Sequence, residues 1–265
     1  MAEDKLIHHQ SDLNLFEACG HCYLLERIEK KPRNFNFYLA RGRGAHKSRE
    51  VNFRQKITSG EDLDFDILAD ACRDEIVSAA EKSEILLAGD FEGKSRKGAV
   101  DFVLNHTLPL IRLDRQLLMP SIQPEFVEQF IEVNLPGWPF NLAGKIDVIP
   151  VGRVIVDTKT SKMKWTQEKA DKEYQPSHYW LLGRAFLGAE PTKFRYDILT
   201  ETGKKIYAYT INTMRTEKDI ITLLRRYTAM DASIKAGVFN PCHRGHWRCS
   251  AKWCSQYQNC KYVGN

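Results

Sequence analysis

The sequence predicts an α/β protein with a helical first half, a run of short strands from Pro124 onward, and a cysteine-rich tail. Three observations carry that prediction. Apolar residues recur at helical spacing through most of residues 11–119. At Pro124 the texture changes to alternating and β-branched segments divided by Pro/Gly turns. Six of the seven cysteines lie toward the chain ends: Cys19 and Cys22, then Cys242, Cys249, Cys254 and Cys260.

Residues 11–31 read as a helix that Ser11 or Asp12 can cap, with Leu13, Phe16, Leu24, Leu25 and Ile28 as apolar positions and Lys31-Pro32-Arg33-Asn34 as its end. Residues 36–57 read as helical again around Arg41-Gly42-Arg43-Gly44. Residues 62–87 and 97–119 follow with the same spacing, forming a helical block inserted before the sheet. Phe126–Leu135, Phe140–Ile149 and Val154–Asp157 read as strands across the turns Pro136-Gly137-Trp138-Pro139 and Pro150-Val151-Gly152-Arg153. Connections that short predict an antiparallel meander. A helix over 166–187, a hairpin over 193–200 and 205–212, and an amphipathic helix over 216–236 complete the pattern. The expected organisation is one domain, with N-terminal helices to 60, a helical insertion over 61–120, an α/β core over 121–238 and a cysteine-rich tail from 239.

Hydrophobic residues make up 43% of the 265-residue chain and charged residues 28%, which suits a folded core and argues against disorder. The net charge of +5 is compatible with a polyanionic partner. No apolar run approaches the roughly 18 residues of a membrane span, and the first residues lack a signal-peptide core. The expected location is therefore intracellular, in the cytoplasm. In a reducing compartment cysteines serve metals, catalysis or packing, and an odd number clustered at the ends does not make a disulfide framework.

The chemistry concentrates in Gly144-Lys145-Ile146-Asp147 and Val156-Asp157-Thr158-Lys159-Thr160. Asp147 and Asp157 fall on consecutive strands, and Asp157 and Lys159 share one face because strand side chains alternate. Two carboxylates and a lysine gathered on a sheet face are costly without a cation. Mg²⁺ or Mn²⁺, which prefer oxygen ligands, makes the cluster reasonable. Such an ion can activate water and neutralise charge on a scissile phosphate, while the lysine positions the nucleophile. His46, in Gly42-x-x-x-His46, is a further candidate ligand, with Glu50 on the same helix face. Gln175 and Tyr179 are four apart on a helix, so amide and phenol point the same way. Glu128, or Glu132 at similar parity, is a candidate acid for holding water near the site.

In this order, Gly-x-x-x-His, Gly-Lys-Ile-Asp, Val-Asp-Thr-Lys-Thr and Gln-x-x-x-Tyr resemble the RecB-like branch of the PD-(D/E)XK nucleases over residues 41–180. The resemblance implies a restriction-endonuclease-like core, with a mixed central β-sheet flanked by helices and divalent-metal hydrolysis of phosphodiesters. Carried over by position, His46, Asp147 and Asp157 bind metal, the Thr158 carbonyl is a further ligand, and Lys159 is the catalytic lysine. Gln175 and Tyr179 match the branch's Gln-x-x-x-Tyr motif.

The tail cysteines Cys249, Cys254 and Cys260 are spaced x₄ and x₅, unlike the paired ligands of a zinc ribbon. They resemble the C-terminal triplet of iron–sulfur nucleases of this branch, AddB and the CRISPR-adaptation exonucleases. In those proteins a fourth cysteine near the N-terminus completes a [4Fe–4S] cluster, and Cys19 fits that place without the proline that usually follows it. Cys22 competes for the role, and Cys242 can replace a tail ligand. Zinc, aided by His243 or His246, is the alternative metal. Cys72 reads as a small core residue.

Arg41, Arg43, Lys47, Lys162, Lys164 and Lys169 are candidate phosphate contacts, and Trp165 can stack a base. The expected activity is a DNA exonuclease or end-processing nuclease of viral, mobile-element or CRISPR-adaptation type, acting on single strands or duplex ends. No P-loop is present, so unwinding falls to a helicase or recombination partner. The alternative is a catalytically idle nucleic-acid-binding module on the same fold.

Overall fold

The computed structural model describes residues 5–82, 84–85 and 89–263. It divides into two compact units. The first comprises residues 1–34, 132–144 and 216–265, and the second residues 35–131 and 145–215.

The first unit holds both chain ends. Strand β1 (Leu6–His8) pairs in parallel with the start of β5 (Phe140–Pro150), Leu6 opposite Phe140. The helix expected over 11–31 is broken into α1 (Gln10–Ala18), α2 (Gly20–Tyr23) and a π-turn at Leu24–Ile28. Cys19 is extended at the break (φ −168°, ψ 104°), and its sulfur caps α2 by accepting the Cys22 N–H at 3.4 Å. Neither Ser11 nor Asp12 is the N-cap of α1. That place is taken by His9, whose N–H donates to Asp12 Oδ2 at 3.1 Å. A Cβ on Gly20 would lie 3.0 Å from the backbone N and O of Asn240, so glycine lets the tail approach here.

The second unit carries the helical block and most of the sheet. After β2 (Asn34–Phe35), α3 (Phe37–Ser59) is capped by Asn36 Oδ1 and ends at the left-handed Gly60. The helix expected over 62–87 is α4 (Phe65–Glu81), which stops before β3 (Glu84–Ile85); residues 83 and 86–88 lie outside those described. Helix α5 (Arg96–Leu117) follows, its first turn capped by Ser95 Oγ on the Gly98 N–H at 3.1 Å.

The sheet continues through β4 (Pro124–Asn134), which pairs with β5, and β6 (Val154–Ser161), which is antiparallel to β5. The antiparallel pattern then breaks. Helices α6 (Gln167–Lys172) and α7 (Gln175–Leu187) replace the single helix expected over 166–187, and they return the chain so that β7 (Lys193–Thr202) runs parallel to β6. Strand β8 (Lys205–Thr213) closes an antiparallel hairpin on β7, and α8 (Glu217–Lys235) opens on a Thr216/Asp219 capping box. The central sheet is therefore mixed, in the order β1-β5-β6-β7-β8 with β4 on β5.

Strand β6 divides its side chains between two layers. Val156 packs into a core with Phe53, Leu68, Cys72, Ile76, Val103 and Ile111 from α3, α4 and α5. Cys72 is thus the core residue its surroundings suggested. On the opposite face Ile155 meets α7, where a Cβ on Gly183 would come within 2.6 Å of Ile155 Cδ1. That close approach brings α7, with Gln175 and Tyr179 on it, down onto the odd-numbered side of β6.

Candidate functional site

Asp147 on β5 and Asp157 on β6 meet where the two strands pair near Val148 and Val156. The Asp147 Oδ2 accepts the backbone N–H of Thr158 at 2.9 Å, which fixes its carboxylate beside the peptide that follows Asp157. His46, on α3, places Nδ1 3.1 Å from the same oxygen. Glu128 joins them through an unusual backbone. It sits in β4 at φ +52°, a conformation that non-glycine residues adopt rarely and that turns its side chain out of the regular alternation. Among the described residues, His46, Glu128 and Asp147 are the one set of three His, Cys, Asp or Glu ligand atoms lying within 4.8 Å of one another. Glu132, the alternative candidate on that strand, is exposed and outside this set. Glu50 is paired instead along its own helix, with Lys47 at 3.0 Å and Arg54 at 2.9 Å.

Asp157 lies deeper, 2% exposed. Its Oδ1 accepts from Gln175 Nε2 at 2.8 Å, and Lys159 Nζ stands 2.7 Å from Oδ2. The Gln-x-x-x-Tyr pair therefore faces the carboxylate. Tyr179 is close enough to Gln175 for a hydrogen bond, and burial with Asp157 nearby raises its pKa, so the phenol stays a donor. Each carboxylate has a basic partner of its own: Lys145 on Glu128, His46 on Asp147 and Lys159 on Asp157. Burial pushes Asp157 up to about 6, with Asp147 adding to the rise and Lys159 opposing it. Burial works against ionisation of Asp147 too, but His46 and the Thr158 N–H outweigh it and hold its pKa below the usual value. Burial likewise opposes the charge on His46, and Asp147 and Asp157 overcome that and raise its pKa.

The sequence reading passed over four residues at this site. Lys145 is paired to Glu128. Arg49, one turn after His46, is 3% exposed and donates to Thr158 Oγ1 at 2.9 Å while bridging Asp114 and Asp197. Tyr196 lies opposite Asp157 on β7 with its hydroxyl buried and without a hydrogen-bond partner among the described residues, and Lys159 Nζ is 5.9 Å from its ring centre. Asp197, fully buried, is Arg49's deepest partner. Of these, Arg49 and Lys145 had local signals, helical spacing from His46 and same-face strand spacing from Asp147.

The chain belongs to the PD-(D/E)XK nuclease superfamily. The superfamily model matches residues 10–262, nearly the whole chain. A crystal structure of a protein of Eubacterium rectale, provisionally described as an exonuclease, shares the fold at a TM-score of 0.63 and 13% identity, covering 97% of this chain and 89% of that one. SSO0001 matches with 14% identity over 100% of this chain and 90% of that one, at a TM-score of 0.37. None of the curated proteins matches. The mixed sheet flanked by helices is that of the superfamily, as the resemblance implied.

The basic residues expected to meet phosphate divide. Arg41 is buried and not available to a ligand; its Nη1 lies 3.4 Å from Glu201. Arg43 and Lys47 are engaged with Glu75 and Glu50. Lys162, Lys164 and Lys169 are exposed and each lies over an aromatic ring, Lys162 over Tyr38 at 5.0 Å, Lys164 over Tyr207 at 3.7 Å and Lys169 over Trp165 at 4.1 Å, and Lys162 is also 3.2 Å from Asp90 Oδ1. No helix among the described residues is long and apolar enough to cross a membrane.

In the first unit, all six terminal cysteines line one small cavity, together with Pro241, Arg244, Arg248, Tyr257, Tyr262 and Val263. His243 and His246 are outside that lining. The Cys19 sulfur accepts two backbone N–H groups, from Cys22 at 3.4 Å and Cys242 at 3.3 Å. Cys22 Sγ touches Cys254 Sγ at 3.4 Å. The Cys22 side chain and these N–H groups lower Cys19 to about 4, and Cys22 also lowers Cys254 to about 7. Burial and the contact with Cys19 push Cys242 up to about 12.

Proposed function

We propose that the chain is a divalent-metal-dependent deoxyribonuclease that works as an exonuclease or end-processing enzyme. The observation that carries this reading is the convergence of His46, Glu128 and Asp147 beside an Asp157–Lys159 pair. His46, Asp147 and Asp157, with the Thr158 carbonyl, are the proposed holders of Mg²⁺ or Mn²⁺, and Glu128 lies close enough to act as a further ligand or to hold water. Carboxylates with one imidazole suit a hard cation that takes mostly oxygen. When bound, that ion supplies Lewis-acid polarisation and charge neutralisation at a phosphodiester. The Lys159 ammonium orients the attacking water and donates to the charge that builds on phosphorus-bound oxygen. Gln175 fixes the rotamer of Asp157 through its 2.8 Å bond, and Tyr179 offers a phenolic proton to a phosphate oxygen. Lys162, Lys164, Lys169 and Trp165 supply a basic, aromatic surface suited to a DNA strand. The exonuclease mode draws on the motif resemblance and on the description of the E. rectale protein.

The test is digestion of end-labelled linear DNA and of circular DNA, single- and double-stranded, with Mg²⁺ or Mn²⁺ and with chelator. Linear strands vanish while circles persist, and chelator stops the loss. Nicked circles would replace the exonuclease reading with an endonuclease one, and intact DNA in every metal would favour the idle module.

A pH dependence follows from His46 and Asp157. Neither a protonated imidazole nor a protonated carboxyl ligates, so Mn²⁺ affinity is expected to fall as pH drops, first as His46, whose pKa is raised, takes up its proton, and further below Asp157's value of about 6. The slope should approach about tenfold per pH unit for each proton, read by calorimetric titration between about pH 5 and 8.

We also propose that the cysteine cavity holds a [4Fe–4S] cluster on Cys19, Cys249, Cys254 and Cys260. Four thiolates of a single zinc site would bring their sulfurs within roughly 3.8 Å of one another. These sulfurs instead ring the cavity, with no three inside 4.8 Å among the described residues, which suits a group with several metal corners. The cluster would tie the two chain ends together, since both belong to the first unit.

A further inference from the structure

The cavity has six thiols where a cubane needs four. The contacts among them follow an order. Cys22 donates its backbone N–H to Cys19 Sγ at 3.4 Å and touches Cys254 Sγ at 3.4 Å with its own sulfur. Cys242 donates its backbone N–H to Cys19 Sγ at 3.3 Å and reaches Cys249 with its side chain. Five of the six thus alternate, in the order Cys254, Cys22, Cys19, Cys242, Cys249, and Cys260 completes the lining. Two sulfurs in contact cannot hold separate irons, because a cluster edge must lie between such ligands. Among the described residues, every contact between these sulfurs pairs one of the four proposed ligands with Cys22 or Cys242.

Resting on the cluster reading above, we infer that Cys22 and Cys242 are not cluster ligands but thiol donors, each bridging Cys19 to one tail ligand. Their backbone N–H groups point at Cys19 sulfur, and their side chains lie against ligand sulfur. Such hydrogen bonds withdraw charge from the thiolates, stabilise the more negative reduced cluster and raise its reduction potential. They also hold Cys19, from the N-terminal segment, in register with Cys249 and Cys254 of the tail. Cys22 and Cys242 are positioning residues in this scheme and touch no iron.

The experiment uses the full chain, purified without oxygen, and reads iron per chain, visible absorption and midpoint potential. The wild type should carry about four irons. Cys254→Ala should lose iron and colour. Cys22→Ala and Cys242→Ala should keep both and shift the midpoint to more negative values, and Cys22→Ser, which retains a donor, should recover part of that shift. Iron lost from Cys22→Ala or Cys242→Ala, while the matching Cys249→Ala or Cys254→Ala keeps it, would make the bridging thiol a ligand and overturn the inference. An unmoved potential in both alanine variants would overturn it as well. A wild type that takes up no iron on reconstitution, or that holds zinc in its place, would remove the cluster itself, an outcome distinct from either.

Discussion

Asp157→Ala and Lys159→Ala are each expected to lower the cleavage rate of linear DNA by at least about a thousandfold, roughly 4 kcal/mol of transition-state stabilisation. The two side chains act on one another before they act on substrate. Asp157 is 2% exposed, and its two oxygens are met by Gln175 Nε2 at 2.8 Å and Lys159 Nζ at 2.7 Å. Removing the carboxylate takes away a proposed metal ligand and also the acceptor that aims Lys159. Removing the lysine leaves a buried carboxyl whose pKa is already raised to about 6 and which then protonates more readily. Because the pair works as a unit, the double variant should be scarcely slower than the worse single one. Single-turnover rates on end-labelled DNA at saturating Mn²⁺ give the comparison. Asp157→Asn keeps the shape and the Gln175 contact but lacks the charge, so it should be nearly as slow as Asp157→Ala. Rates within a few-fold of wild type in Lys159→Ala would place the chemistry elsewhere.

How much of this was legible beforehand depended on the range of the forces involved. The Asp157–Lys159 face follows from strand alternation, a two-residue rule, and the hairpin carrying Asp147 follows from a turn of four residues. Gln175 and Tyr179 follow from helical spacing. Each of these is local, and each residue arrived at the site. The parallel pairing of β6 with β7 was not legible as a short-turn meander, because α6 and α7 intervene and let the chain return in the same direction. The break at Cys19 was hidden for a different reason. Its extended backbone answers to contacts with Asn240 and Cys242, more than 200 positions away, and a helical apolar pattern cannot register them. The positive φ of Glu128 likewise has no signal in its neighbours in sequence. Arg41 failed as a phosphate contact because nothing local separates a buried arginine from a solvated one.

Arg49 shows the largest consequence of such long-range chemistry. Its guanidinium donates to Asp114 Oδ2 at 2.7 Å and Oδ1 at 2.6 Å, to Asp197 Oδ2 at 2.8 Å and to Thr158 Oγ1 at 2.9 Å. Arg195 balances the second carboxylate from 2.5 Å. Two arginines and two aspartates thus cancel within the interior, linking α3 and α5 to β6 and β7. Burial opposes the charge on Arg49, and Asp114 and Asp197 more than restore it. Arg49→Met strands Asp114 in the core and leaves Asp197 to Arg195 alone, and the expected cost is about 3–5 kcal/mol. It should appear as a lower denaturant midpoint for the second unit. Replacing Asp114 by leucine in the same background should recover much of that loss, since no lone carboxylate is then desolvated and Asp197 keeps Arg195. Recovery of stability would not bring recovery of function. The bond to Thr158 Oγ1 would still be missing, and with it the tether on the peptide whose N–H holds Asp147 at 2.9 Å. Thr158→Val isolates that bond: it should leave the midpoint within about 1 kcal/mol of wild type, the net worth of one hydrogen bond, and still weaken Mn²⁺ binding. A Thr158→Val chain that binds Mn²⁺ as tightly as wild type would reduce Arg49 to a structural clamp.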